Sequence, residues 1–279
     1  MKVQYSGPVT RRAALSLLAA GVAAPALMTA PALAQAPAPA LDVPYVPTPQ
    51  DVVDRMLDIA KPTASDFVMD LGCGDGRMLV TAAAKFGARG RGVDLNPVRI
   101  AEAIENAKKA GVTDKIQFEV KNLFDTSIRD ATVLTMYLLP SVNLQLRPRI
   151  LDEMKPGARI VSHAFHMADW EPDLQDEVRG RNIYHWIVPA KVAGKWNLRD
   201  GNDSITLDIF QQYQKLSGSA AKEGGGAGKF SGSVKGAQVT FIVDMGSGAK
   251  TYTGQIASGM VDGGSGAGWN ASHETRLGQ

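Results

Sequence analysis

The chain has 279 residues, 44% of them hydrophobic and 21% charged, a composition that sustains a globular core and excludes wholesale disorder. Thirty basic residues against 28 acids give a formal net charge of +2, without the basic excess a general nucleic-acid binder needs to displace counterions. The single cysteine excludes an intrachain disulfide framework and cysteine-rich metal sites, and no apolar run reaches the ~18–20 residues of a membrane-spanning helix.

Residues 1–34 read as an export signal. Thr10-Arg11-Arg12-Ala13-Ala14-Leu15 resembles a twin-arginine (Tat) motif, an apolar stretch follows to about Ala30, and Ala32-Leu33-Ala34 fits a cleavage site before Gln35. The expected partner is the Tat translocase, and the expected location is the periplasm or the inner membrane. Removing the signal takes three basic residues and no acid, leaving the remainder at net −1. Residues 35–49 are rich in Ala and Pro and read as a linker.

From residue 50 the pattern alternates between short apolar runs and amphipathic stretches. Phe67–Leu71 and Arg91–Leu95 are strand candidates, with a helix over 77–87 between them. Pro97 suits the first turn of a helix over 98–110, whose Ile100, Ala103, Ile104 and Ala107 share a face, and Gly111 ends it. Ile116–Val120, Ala131–Tyr137 and Ala158–Phe165 are further strands, with a helix over 141–154 between the last two. This alternation predicts an α/β fold, a Rossmann-like doubly wound parallel sheet spanning residues 50–180, with ligands bound at the strand C-termini.

The last third differs. Pro189 is the final proline, and 18 glycines fall among the 86 residues from Gly194 to Gln279. Ile183–Val188, Ser204–Gln214, Lys229–Val234, Gln238–Val243, Thr251–Ile256 and Trp269–Ser272 read as strands, with 222–228 as a flexible loop. The expectation is a Gly-rich antiparallel β module over 181–275, a meander or small barrel. Trp196, Tyr213, Tyr252 and Trp269 are expected to pack its core, with a binding face as the alternative.

The chemistry concentrates at Asp70-Leu71-Gly72-Cys73-Gly74-Asp75-Gly76, between the first strand and a helix. Three glycines let the backbone turn tightly against a ligand. A dinucleotide-binding loop would read G-x-G-x-x-G, and Asp75 lies where a pyrophosphate would approach. A carboxylate there repels phosphate and suits a cationic ligand. Asp94 ends the second strand 22 residues after Gly72, about the ~20-residue spacing at which an acid grips ribose hydroxyls.

Asp70-x-Gly72-x-Gly74-x-Gly76 followed by Gly92-Val93-Asp94-Leu95-Asn96-Pro97 resembles the class I, seven-stranded S-adenosylmethionine (SAM) methyltransferases over about residues 44–170. The resemblance implies SAM as cofactor, with Asp70, Gly72, Cys73, Gly74, Asp75 and Gly76 flanking its methionine part, Asp94 and Leu95 at the ribose, and Asn122 near the adenine. The lead-in Pro44-Tyr45-Val46-Pro47-Thr48-Pro49 is similar to that of small Dot1-like and mitochondrial or archaeal protein-lysine methyltransferases. By that likeness Tyr45 and Thr48 close the cofactor pocket. A stiff approach with Tyr45 packed beneath it is the alternative.

Methyl transfer from an activated sulfonium depends mainly on positioning, so the acceptor channel is expected to be hydrophobic and partly aromatic. After the fourth strand the chain reads Tyr137-Leu138-Leu139-Pro140, lacking the Asn/Asp-Pro-Pro-Tyr/Phe tetrad of nucleic-acid and glutamine N-methyltransferases. That counts against nucleic-acid bases or glutamine as substrate, and the resemblance to protein-lysine methyltransferases implies a protein amine, with a small molecule second. Tyr45, Tyr137 and His163 are the candidate acceptor-site residues. His163, His166 and Asp169 are not held together by a helix, so no metal site is expected. The reading is a SAM-dependent methyltransferase acting on a lysine. The alternatives are an exported, non-catalytic SAM- or nucleotide-binding module on the same fold, or a small-molecule methyltransferase.

Overall fold

The computed structural model describes residues 45–263 and 268–274. The export signal, most of the linker, and the last residues of the expected β module lie outside them.

Helix α1 (Gln50–Ala60) presents Val52, Val53, Met56, Leu57 and Ala60 on one buried face and stops at Lys61, which takes a left-handed conformation before Pro62. Then come β1 (Phe67–Leu71), α2 (Arg77–Phe86), β2 (Arg89–Asp94), α3 (Pro97–Lys109), β3 (Ile116–Val120), β4 (Val133–Met136), α4 (Pro140–Glu153), β5 (Arg159–His163), β6 (Leu174–Val178) and β7 (Arg181–Ile187). Helix α3 begins as its sequence requires: Pro97 occupies the first turn, and the Asn96 side chain accepts the Val98 amide at 2.9 Å.

These strands form one sheet in the order β3-β2-β1-β4-β5-β7-β6. Strands β1 to β5 are parallel, and β7 runs antiparallel to both β5 and β6. Alternate residues go to opposite faces. Val68, Val133 and Val161 pack with α1 and α2, while Met69, Leu134 and Ile160 pack with Leu146 and Ile150 of α4. The order reverses between β1 and β4, and a crevice opens at their C-terminal ends.

The remaining strands are β8 (Gly194–Asp200), β9 (Asp203–Gln212), β10 (Lys215–Lys222), β11 (Ala227–Lys235), β12 (Gln238–Asp244), β13 (Ala249–Ala257), β14 (Met260–Asp262) and β15 (Trp269–His273). They form a closed antiparallel barrel in which β15 pairs with β8. Closure removes the edges that a meander would leave exposed. Trp196, Phe230, Phe241 and Tyr252 fill the interior with Leu198, Leu207 and Val239, all nearly inaccessible. The Phe230 and Phe241 rings meet at 5.4 Å, so the interior is a packed core. Glycine is demanded where strands press together: a Cβ on Gly232 would stand 2.3 Å from the Thr240 carbonyl oxygen.

Several expectations are corrected. Ile183–Val188, expected to open the C-terminal module, is largely β7 of the main sheet, because its buried residues on both faces need a sheet neighbour on each side and a helical layer. The barrel therefore begins at Gly194 rather than 181, and the sheet is mixed rather than wholly parallel. Ser204–Gln214 is not one strand running to 214: β9 stops at Gln212, and the chain turns at Tyr213 and Gln214 into β10. The expected flexible loop over 222–228 is a hairpin turn closed by the Lys222 amide on the Gly226 carbonyl at 3.0 Å. Trp196 and Tyr252 are core residues, whereas Tyr213 faces the sheet domain.

Candidate functional site

The loop after β1 is fixed to β2 by its backbone. The Gly72 and Cys73 amides both donate to the Val93 carbonyl at 2.9 Å, and the Gly74 amide donates to Asp94 Oδ2 at 3.0 Å. Asp94 Oδ1 accepts the Asn96 amide at 2.8 Å. Two backbone amides thus orient the Asp94 carboxylate at the rim of the crevice while leaving lone pairs free for a ligand. Gly74 has φ +52°, and a Cβ there would lie 2.7 Å from the Tyr45 ring. The loop can pass beneath the lead-in only as glycine.

Asp70 is buried beneath this loop and accepts the Thr135 hydroxyl at 2.7 Å. Burial pushes its carboxyl up to about 7 against the pull of Thr135, and Asp94 and Asp75 push in the same direction. Burial also raises Asp75, but the Arg77 guanidinium holds it below the ordinary carboxylate range by bonding through Nε and Nη2 at 2.9 and 2.5 Å. The Cys73 thiol is pushed far up by burial and then by Asp70 and Asp94, which keeps it protonated and inert.

The lead-in closes one side. Arg77 Nη1 donates to the Thr48 carbonyl at 2.8 Å, and the Arg99 guanidinium stands 4.4 Å over the Tyr45 ring. The Thr48 hydroxyl shares a 3.1 Å hydrogen bond with His163 Nδ1. Across the crevice, the Tyr137 ring lies 3.9 Å from that of His163 and 6.3 Å from that of Phe165. Burial holds the His163 imidazole down at about 4, with Arg181 adding to the effect, so the ring is neutral at neutral pH.

The crevice is small, with room of about 90 Å³, and opens to solvent at its mouth. Tyr45, Thr48, Asp70, Gly72, Cys73, Gly74, Asp75, Asp94 and Tyr137 all line it. Four other expected site residues lie elsewhere. Gly76 caps α2 in the left-handed conformation, packed against Phe118 and Ala103. Leu95 is half-buried beside Asp94 and outside the lining. Asn122 accepts the Phe124 amide at 2.9 Å on its side-chain oxygen, capping a short helical turn, and is not among the residues that line the crevice. His163 stands behind Thr48 and Tyr137.

Arg77, Asn96, Arg99, Met136 and Leu138 line the crevice without having been picked out from sequence. A signal for the two arginines existed. Each falls in the first turn of a helix, where a cation opposes the macrodipole, so another interaction must hold it there.

The arrangement suits a ligand that is positive at one end. Asp75 and Tyr45 engage the two arginines, while, among the described residues, buried Asp70 bonds the Thr135 hydroxyl and Asp94 bonds neutral amides. A sulfonium and an ammonium, as SAM carries, answer that imbalance, and Asp94 is placed for ribose hydroxyls. A nucleotide phosphate does not fit the same walls.

Comparison with known proteins agrees with this geometry. A family model described as the ANTKMT methyltransferase domain matches residues 70–174. A protein-lysine N-methyltransferase of Saccharolobus islandicus is 47% identical over 146 residues, which cover 52% of this chain and 91% of that protein. The adenine nucleotide translocase lysine N-methyltransferase of Mus musculus is 35% identical, over 47% of this chain and 57% of the mouse protein. A crystal structure of an RNA methyltransferase from Salinibacter ruber with S-adenosyl-L-homocysteine is 46% identical, with a TM-score of 0.52, covering 53% of this chain and 96% of that one. Together with the crevice, these likenesses show that the chain belongs to the SAM-dependent methyltransferase family typified by the protein-lysine N-methyltransferase of S. islandicus.

Proposed function

We propose that this enzyme methylates the side-chain amine of lysine in a protein. The observation that carries the reading is a carboxylate-rich cofactor crevice lined at one end by Tyr137, with the uncharged rings of His163 and Phe165 packed against that tyrosine. When bound, SAM supplies an activated methyl group. Asp94 holds the ribose, Asp70 and the glycine loop receive the methionine part, and the Tyr45–Thr48 lead-in excludes water from above. A lysine must lose its proton before it can act as a nucleophile. A low-polarity wall disfavours the ammonium form, and His163, held neutral, places no like charge beside the incoming amine. The names of the S. islandicus and mouse relatives point the same way. So does the absence of the Asn/Asp-Pro-Pro-Tyr/Phe tetrad after β4.

The test is transfer of tritiated methyl from SAM into a cell extract, followed by separation of protein and RNA and acid hydrolysis of the protein. Label recovered as methyl-lysine supports the reading. Label confined to RNA, the acceptor class named for the S. ruber protein, would overturn it, and so would label confined to small molecules.

We also propose that residues 1–34 direct the folded enzyme to the Tat translocase, placing it in the periplasm or at the inner membrane. Among the described residues no helix is long and apolar enough to cross a membrane. Because SAM is made in the cytoplasm, a protein exported folded could load cofactor before it leaves. Replacing Arg11 and Arg12 with Lys should retain the protein in the cytoplasmic fraction; an unchanged distribution would sink the proposal.

A further inference from the structure

The segment between β5 and β6, residues 164–173, links two parts of the molecule. At its start it continues the aromatic wall. The Ala164 amide donates to Asn182 O at 2.7 Å, and the Phe165 carbonyl accepts the Ser162 hydroxyl at 2.7 Å. Ala164 and Ala168 both sit at positive φ, +66° and +53°, a conformation that persists in alanine only when its surroundings impose it.

The surroundings include the barrel. At the β9–β10 turn Tyr213 donates its hydroxyl to Asp169 Oδ2 at 2.9 Å, and its ring stacks on that of fully buried Trp170 at 5.8 Å. Arg147 of α4 completes the clasp. Its Nη1 bonds Asp169 Oδ1 at 2.5 Å and the Met167 carbonyl at 2.9 Å, and its guanidinium stands 5.4 Å from the centre of the Tyr213 ring. Next along the turn, Gln214 Nε2 donates to the Glu171 carbonyl at 2.8 Å, and Lys215 pairs with Glu171. Tyr213 itself has φ +55°, so the tip of the hairpin is held in a constrained conformation while it grips.

From this geometry we propose that the barrel clamps the acceptor wall of the methyltransferase site: Tyr213 acts as a positioning residue, fixing residues 164–170 and through them the placement of Phe165 and His163 beside Tyr137. The inference rests on the reading of the Tyr137 end of the crevice as the acceptor side. It gives the barrel a part in the reaction although, among the described residues, its interior is filled by packed side chains. The wall that receives the amine is then held from two directions, by the main sheet through Asn182 and Ser162 and by the barrel through Tyr213.

The test compares the full chain with Tyr213→Phe, which keeps the ring and removes the hydroxyl, and with Asp169→Ala, which releases the clasp from the other side. Hydrogen exchange of residues 164–170, the ring nitrogen resonances of His163, and calorimetric SAM affinity are measured on each. The expected result is exchange at least about tenfold faster in 164–170 and shifted His163 resonances in both variants. SAM affinity should stay within about twofold of the parent chain, because the clasp does not touch the cofactor end. Unchanged exchange and resonances in both variants would overturn the clamp while leaving the cofactor reading intact. Failure of the parent chain to bind SAM would instead strike the cofactor reading. If Asp169→Ala unfolds, shown by loss of protection throughout, Tyr213→Phe alone decides.

Discussion

The central strands of the sheet are buried on both faces, whereas the barrel strands bury only one, and the two interiors are filled differently. Among the described residues, the buried polar side chains, including Thr48, Asp70, Thr135, Asn143, Ser162 and His163, all belong to the sheet domain and its lead-in. The barrel interior is aliphatic and aromatic, and its one buried hydroxyl, that of Tyr252, reaches outward to Asp200 at 2.8 Å. Burying polar groups reduces stability unless a partner or a ligand answers them. Several of the buried polar groups of the sheet gather at the C-terminal ends of β1, β4 and β5, where the cofactor crevice lies. The barrel interior carries no such burden among the described residues.

This contrast can be broken by substitution. The largest effect is expected in the barrel: Phe241→Ala removes a fully buried ring and should lower stability by about 3–5 kcal/mol in urea unfolding, with SAM affinity unchanged. A simultaneous loss of SAM binding in the folded variant would show that the two regions are not separable in this way. The opposite pattern is expected at the crevice. Asp94→Ala should weaken SAM by about 1.5–3 kcal/mol, roughly ten- to a hundredfold by calorimetry, while shifting the unfolding midpoint far less than the Phe241 change.

Two pH experiments sharpen the comparison at smaller amplitude. With its carboxyl raised to about 7, Asp70 carries a proton in much of the ligand-free protein at neutral pH, and a cationic ligand favours its ionised form. SAM affinity should therefore rise between pH 5.5 and 7.5, and Asp70→Asn should flatten that rise. A slope that survives the substitution would assign it to another group. His163 acts on stability instead. Its folded-state value of about 4 lies below the ordinary 6.5, so its contribution is complete above 6.5 and is lost as pH falls toward 4, where the unfolded chain binds the proton first. His163→Asn should reduce the acid-side slope of unfolding free energy, and an unaltered slope would contradict the buried, neutral assignment.

Legibility from sequence followed the strength of local signals. Elements β1 through α3 were readable because their apolar periods are clean and the glycine loop, Asn96 and Pro97 mark the boundaries. Strand β6, Leu-Gln-Asp-Glu-Val, and strand β10, rich in Ser, Gly and Ala, carry little apolar pattern, and their existence depends on neighbouring strands. Within the site, Asp70, Gly74 and Asp94 were identifiable because their chemistry is bound to one loop and one strand end. The resemblance implies Asn122 near the adenine, and the structure adds that its side-chain oxygen accepts a nearby backbone amide, a local bond that position after β3 does not reveal.

The sequence by itself determined the alternating α/β domain, the glycine loop and the acids that suit a cationic nucleotide-like cofactor, because each arises from residues close together in the chain. Only the tertiary structure decided that β7 belongs to the sheet, that the glycine-rich strands close into a barrel, and that Arg77, Arg99 and Thr48 meet around one crevice with His163 behind Thr48. These are pairings between residues far apart in sequence. Their geometry is set when the chain brings distant backbone donors and acceptors into register, and no local period encodes that choice.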